Sequence, residues 1–301
     1  MIKSITVTNY LDETIVLDLR FPEKSGLLVK SVTGLGPVKA NINITEVATG
    51  DGGSYNSARA TSRNIVMKLG LMFDPTVEDT RQKSYKYFPL KKKVGLKIET
   101  DNRTCETYGY VESNDPDIFS KSETSVISII CPDSYLYSTE KNVTVFYGVE
   151  PTFEFEFSNE SLTENMIEFS EIKDRSMESV YYKGDAEVGV TIHIHAVGDV
   201  TNLRIWNTIT RESMYIDSTK LEQLTGSGIV NGDDIVITTE KNNKGIQLFR
   251  NGTYTNILNC LGRDVNWFRL AKGDNIFAFT ADYGATNVQF RVENKNAYEG
   301  I

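Results

Sequence analysis

At 301 residues, 40% apolar and 10% aromatic, the chain has ordinary globular composition, far from the signature of disorder, and its length suits two domains. No run of 18 apolar residues occurs, and residues 1–7 alternate like a strand where a secretion signal would be continuously apolar, so neither a membrane span nor a secretory route is expected. The net charge of −9 is uneven, with 18 Lys+Arg against 19 Asp+Glu in residues 1–150 and 14 against 22 in residues 151–301, which argues against binding nucleic acid through its phosphates.

Period-2 alternation dominates from the start, as in Ile5/Val7 and in Asn41-Ile42-Asn43-Ile44, so most elements are expected to be strands. Residues 46–63 are rich in Gly, Ser, Thr and Asn around an Asp51-Gly52-Gly53 turn and are expected to form a long polar loop, of the kind that touches a partner. A single helix is expected over residues 75–88, with Asp74 as cap, Pro75 in the first helical position, Glu78 and Asp79 in the first turn and Pro89 as stop. Lys91-Lys92-Lys93 beside it reads as a solvated turn. Next come Gly109-Tyr110-Val111-Glu112 and the run from Val126 through Cys131, read as two strands joined by an Asn114-Asp115-Pro116-Asp117 turn and stopped by Pro132.

From about residue 140 the pattern is a series of nine short strands, at 153–157, 188–197, 203–206, 213–216, 234–239, 246–249, 267–270, 276–281 and 287–292, with a short helical turn at 219–224. That spacing reads as a β-sandwich. Asn251-Gly252 supplies a tight hairpin turn, and Lys272-Gly273-Asp274-Asn275 is expected to make another.

Chemistry is hard to find in this chain. Cys105, Cys131 and Cys260 are widely spaced and read as reduced core residues, and the five Asn-x-Ser/Thr sequons lack a secretory context. His193 and His195 share one strand face and could share a metal, but nothing nearby supplies further ligands, so the pair reads mainly as a polar face, with a buried hydrogen-bonding or subunit-contact role as alternatives. Glu154 and Glu156 alternate with three phenylalanines and imitate paired glycosidase acids, yet any half-buried strand produces the same pattern. Trp206 and Trp267 could stack on a sugar but read as core. No nucleophile or phosphate-loop motif occurs, so no catalytic residue, metal or cofactor is expected, and the chain is not read as an enzyme.

The first half resembles the N-terminal domain of siphophage distal tail (Dit) proteins. The resemblance rests on Gly34-Leu35-Gly36-Pro37 leading into residues 40–44, the Asp51-Gly52 turn, Arg63-Asn64-Ile65-Val66, the helix with Arg81 and Tyr85, and the Gly-Tyr-Val-Glu and Ile130-Cys131-Pro132-Asp133 signatures; Ser134 stands where the family commonly has proline. It implies a mainly β chain: a β-sandwich or split-barrel ring domain with one helix over residues 1–140, followed by a galectin-like β-sandwich over residues 141–301. It also implies a hexameric ring at the virion tail tip, assembled in the bacterial cytoplasm. Such a ring would join the tail-tube protein to the central fibre or tail-tip protein of the baseplate, with receptor-binding proteins at its periphery and DNA passing through without specific binding. A host-attachment role as a carbohydrate-binding adhesin is the alternative. The residues expected at a subunit or tube contact are Asp51, Gly52, Tyr55, Arg59 and Arg63 of the polar loop, then Arg81 and Tyr85 of the helix.

Overall fold

The computed structural model describes residues 1–46, 50–151, 170–174 and 177–301. It is mainly antiparallel β with two α-helices, without a closed barrel among the described residues. The chain divides into two compact units, one of Met1–Glu140 with Ala297–Ile301, the other of Lys141–Asn296.

The first unit opens with β1 (Ile2–Thr8) and β2 (Thr14–Asp18), a hairpin whose turn is held by Asn9, its side-chain oxygen accepting from the backbone N–H of Leu11 and Glu13. β3 (Leu27–Thr33) is followed by β4 (Ala40–Glu46), β5 (Gly53–Ala60) and β6 (Arg63–Leu71). After helix α1 (Val77–Tyr87) come β7 (Lys93–Thr100), β8 (Thr104–Asp117), β9 (Thr124–Cys131) and β10 (Leu136–Val145). One sheet runs β2-β1-β7-β8 and a second pairs β3 with β6, β6 with β9 and β9 with β8. Alternation sends Ile5, Val7, Leu96 and Ile98 of the first sheet and Ile65, Met67, Ile127 and Ile129 of the second into one core, where each buried aliphatic side chain contributes roughly 1.5–3 kcal/mol.

β8 belongs to both sheets. It pairs with β7 up to Tyr110 and with β9 from Tyr110 onward, and a register slip between Val111 and Ser113 leaves Glu112 as the bulge that redirects the strand. The crossing is close: a side chain at Gly109 would come within 2.6–2.9 Å of Ile129, the Ile130 carbonyl and the Cys131 sulfur. The glycine of the Gly-Tyr-Val-Glu signature is therefore a packing requirement. Asn114-Asp115-Pro116-Asp117 is not the turn expected from its composition, since all four residues continue β8, with Pro116 opposite Ser125, and the turn falls at 118–123. Proline is tolerated there because β7 has already ended its pairing, leaving that edge of β8 free.

The helix is shorter than expected. The Asp74-Pro75 peptide is cis and precedes the helix, so Thr76 is the cap, its hydroxyl accepting from the Asp79 N–H at 3.1 Å, while Asp74 instead pairs with Lys83 at 2.6 Å. Glu78 and Asp79 in the first turn and Lys86 in the last complement the helix dipole. Thr76→Ala should cost about 1 kcal/mol of stability, read as a lower urea midpoint at unchanged slope.

The second unit carries β11 (Tyr147–Pro151) paired with β12 (Ser170–Asp174), then β13 (Met177–Tyr182), β14 (Val188–Gly189), β15 (Thr191–Ala196), β16 (Arg204–Asn207) and β17 (Glu212–Tyr215). Helix α2 (Ser218–Thr225) is capped by Asp217 and ended by Gly226 at φ +84°. β18 (Asp234–Glu240), β19 (Asn243–Arg250), β20 (Thr253–Asn256), β21 (Arg269–Leu270), β22 (Gly273–Thr280) and β23 (Val288–Tyr298) complete it. The order β13-β22-β16-β17 makes one sheet and β23-β15-β18-β19-β20 runs through another. Their inner faces share a core that includes Ile205, Phe277, Ile194, Ile237 and Phe290. Asn251 and Gly252 take positive φ in the β19–β20 turn as expected. Residues 272–275 make no hairpin, because β21 pairs with β14, and the Asn275 side chain holds the corner through Ala271, Gly273 and Val180. The strand expected at 153–157, with Glu154 and Glu156, lies outside the described residues. All three cysteines are buried and free, and burial pushes each thiol above its ordinary pKa.

Candidate assembly surface

The polar segment expected as a loop is mostly a β-hairpin. Among the described residues β4 and β5 pair only with each other, and every residue of both strands is exposed. Their register places Ala40 opposite Ala60, Ile42 opposite Ala58 and Ile44 opposite Tyr55, so these six form one face; a slip after Asn43 keeps Tyr55 with Ile44 and lets Asn56 donate to the Thr45 hydroxyl. Asn and Ser side chains leave neither strand a core to join, and Gly52, at φ +90°, turns the chain at the tip. An isolated two-stranded ribbon with a free apolar face is marginal by itself and gains from being covered. Asp51, Gly52, Tyr55 and Arg59 all sit on it.

Arg63 does not belong to that surface. Expected as a contact residue, it is 0% exposed and roots the hairpin in the unit. Its Nε and Nη2 donate to the Ser134 carbonyl at 3.2 and 2.8 Å, Nη1 to the carbonyls of Gly34 and Gly36, and Nη2 also to that of Glu299 at 2.7 Å. These partners are all carbonyl oxygens, and burial holds the guanidinium below its ordinary pKa. Gly34 has φ +82° and lies so close beneath β6 that a side chain there would collide with the Asn64 carbonyl. Ser134 adds its hydroxyl, donated to the Thr61 carbonyl at 2.6 Å. The Gly34-Leu35-Gly36-Pro37 signature and Ser134, the residue just after the signature ending at Asp133, thus converge on one buried cation.

Arg81 and Tyr85 are elsewhere. Arg81 pairs with Glu123 at 3.2 Å and Glu78 at 3.7 Å, fastening α1 to the β8–β9 turn, and Tyr85 is exposed on the helix. The seven residues therefore divide between an exposed hairpin, its buried root and a helix that packs toward the other end of β6. Sequence reasoning passed over two groups of apolar residues left in solvent: Ile42 and Ile44 on the hairpin, and Phe73, Ile118 and Phe119 on loops, with Phe73 83% and Phe119 96% exposed. The signal for the latter was an apolar pair, Ile118-Phe119, set in a polar turn.

In the second unit, His193 and His195 are half-buried on β15 and point to separate partners, His193 to Glu293 at 3.5 Å and His195 to Asp234 at 2.7 Å. Glu293 also pairs with Lys141 and Arg291, and these contacts hold it below the ordinary carboxylate value despite its burial. No group of three metal-ligating side chains occurs among the described residues. Trp206 lies on β16, and Trp267, just before β21, packs against the core. Burial lowers the His193 pKa, outweighing Glu293, so the unfolded chain takes up this proton more readily. Stability of the second unit should therefore fall as pH drops through the ordinary histidine value and be flat above it, and His193→Gln should flatten the decline in melting temperature between about pH 7.5 and 5.5.

The fold of this chain, mainly antiparallel β in two units, is similar over nearly its whole length to that of a phage distal tail protein. Its counterpart is the crystal structure of the SPP1 Dit protein, described as a paradigm of the hub adsorption apparatus in phages infecting Gram-positive bacteria, with a TM-score of 0.66 and 12% sequence identity over 97% of this chain and 98% of that one. Two structures of the phage p2 baseplate in its activated conformation, with Sr and with Ca, also align, at TM-scores of 0.47 and 0.48, each with 12% identity over 97% or more of both chains. No protein-family model matches the sequence, and no curated protein is similar to it in sequence.

Proposed function

We propose that this protein is a structural hub of a siphophage-type tail tip. In this reading six copies form a ring through their first units and join the tail tube to the tail-tip proteins. DNA passes through without specific binding, and the particle assembles in the bacterial cytoplasm. The observation that carries the reading is the alignment of nearly the whole chain with SPP1 Dit. The stand-off hairpin, apolar on one face and without a partner strand on either edge among the described residues, supports it, since such a ribbon suits burial between subunits. The net charge of −9 per copy is compatible with a channel that repels passing DNA. The second unit is read as a galectin-like sandwich facing receptor-binding partners. The carbohydrate-binding alternative is less favoured, because Trp267 packs against the hydrophobic core.

Removing residues 50–57, the turn and distal half of β5, should abolish rings and tube attachment in electron micrographs while leaving the melting temperature nearly unchanged, because no described residue of this segment is buried. Rings of normal diameter from the deleted protein would remove the hairpin from the contact.

A further inference from the structure

β2 is the terminal strand of its sheet, and its outer edge pairs with nothing among the described residues. The Leu19 N–H donates to the Lys3 carbonyl and the Asn9 N–H to the Glu13 carbonyl, so the odd-numbered residues between them face β1. The N–H and C=O groups of Thr14, Val16 and Asp18 therefore point outward from the sheet. β2 carries neither the proline nor the lysine that commonly blunts such an edge. A cavity of about 490 Å³ lies beside it. Ile15, on the core side of the strand, and Val16, on the outer side, both line it, so the space straddles the edge. Opposite stands α1 with Lys83 and Tyr87, and one end is closed by Lys24 and Ser25 of the 3-10 turn that follows β2. Lys83 fixes that wall, pairing with Asp74 and donating to the Ser25 carbonyl at 3.1 Å. A free strand edge facing a helix across an open cleft is a geometry in which an extended peptide adds to a sheet.

We infer that this cleft takes an extended segment of another protein, added as a strand beside β2, with an acidic side chain of that segment answering Lys24. Three charged residues line the cleft. Asp18 is already engaged, its carboxylate accepting from the N–H groups of Arg20 and Phe21 at 2.9 and 3.2 Å, and Lys83 is paired with Asp74. Lys24 is exposed and only 3.5 Å contact with Asp18 holds it, which leaves the cleft complementary to a carboxylate. The outward backbone groups of Val16 bind the segment whatever its sequence, alternate apolar side chains cover Ile15 and Val16, and Lys24 sets the register.

The probe is an acetylated, amidated heptapeptide of alternating threonine and valine with a central glutamate, titrated into the full chain. It should bind saturably and slow hydrogen exchange over residues 14–18. Val16→Pro should weaken binding by roughly tenfold or more at an unchanged melting temperature, because the lost N–H faces away from β1. The same peptide with its central amides N-methylated should bind the unaltered protein equally poorly, which separates lost backbone pairing from misfolding. Lys24→Glu should weaken the glutamate peptide and favour one with lysine in that place. No saturation at millimolar peptide, undiminished binding of the N-methylated form, or slowed exchange outside residues 14–18 alone would each overturn the proposal. A changed mass of the peptide-free protein on Val16→Pro would assign the edge to a second copy and overturn it as well.

Discussion

Replacing Arg63 with methionine should destabilise the first unit by about 3–5 kcal/mol, the range for removing one partner from a buried charged network. The side chains are similar in length, so little cavity forms; the loss comes from the carbonyls of Gly34, Gly36, Ser134 and Glu299, which are left without their donor. For a unit of this size the melting temperature of the first transition should fall by about 10 °C. Hydrogen exchange read by mass spectrometry should show lost protection in peptides covering 34–37, 61–64 and 132–135, with residues 225–250 unaffected. Arg63→Lys should recover only part of the loss, because an ammonium cannot span a fork of carbonyls as a planar guanidinium does. A stable, normally protected methionine variant would mean that the cage is incidental.

The second unit has a comparable pin with the opposite chemistry. Asp233, 1% exposed, grips Arg250 with both oxygens at 2.7 and 2.6 Å and accepts from the Val230 N–H at 2.8 Å, while Arg250 also donates to Thr225, Ser227 and Gly228. The hydrogen bonds that Arg250 donates to Asp233 raise its pKa, and a guanidinium stays charged near neutral pH even when that acid is removed. Asp233→Ala should therefore cost about 3 kcal/mol or more, with exchange protection lost over 225–233 and at the end of β19. Asp233→Asn, which keeps the shape and one acceptor, should cost less. Equal losses for the two variants would place the effect in packing and not in charge.

The strands were legible where one face is buried, because a period of two then leaves a mark: Ile192 and Ile194 point inward, His193 and His195 do not. The turn chemistry of Asn251-Gly252 was equally plain. The hairpin was read as a loop because neither of its faces meets a core, so composition and not alternation dominated the segment. Residues 114–117 misled for the converse reason: a turn-rich composition was overridden by pairing with β9, which only the three-dimensional edge of β8 reveals. Arg63 was legible as a signature but not as a buried group, since the carbonyls that satisfy it are contributed by residues 29, 27, 71 and 236 positions away in sequence. Backbone oxygens have no sequence identity to read.

One of those oxygens belongs to Glu299, in the short segment Ala297–Ile301 that returns to the first unit after the whole of the second has been traced. During synthesis, the ribosome has to deliver every residue of the second unit before the last ligand of Arg63 emerges. A nascent chain halted before residue 297 would hold an incompletely fastened hairpin root, so closure of the Arg63 cage is timed to late translation.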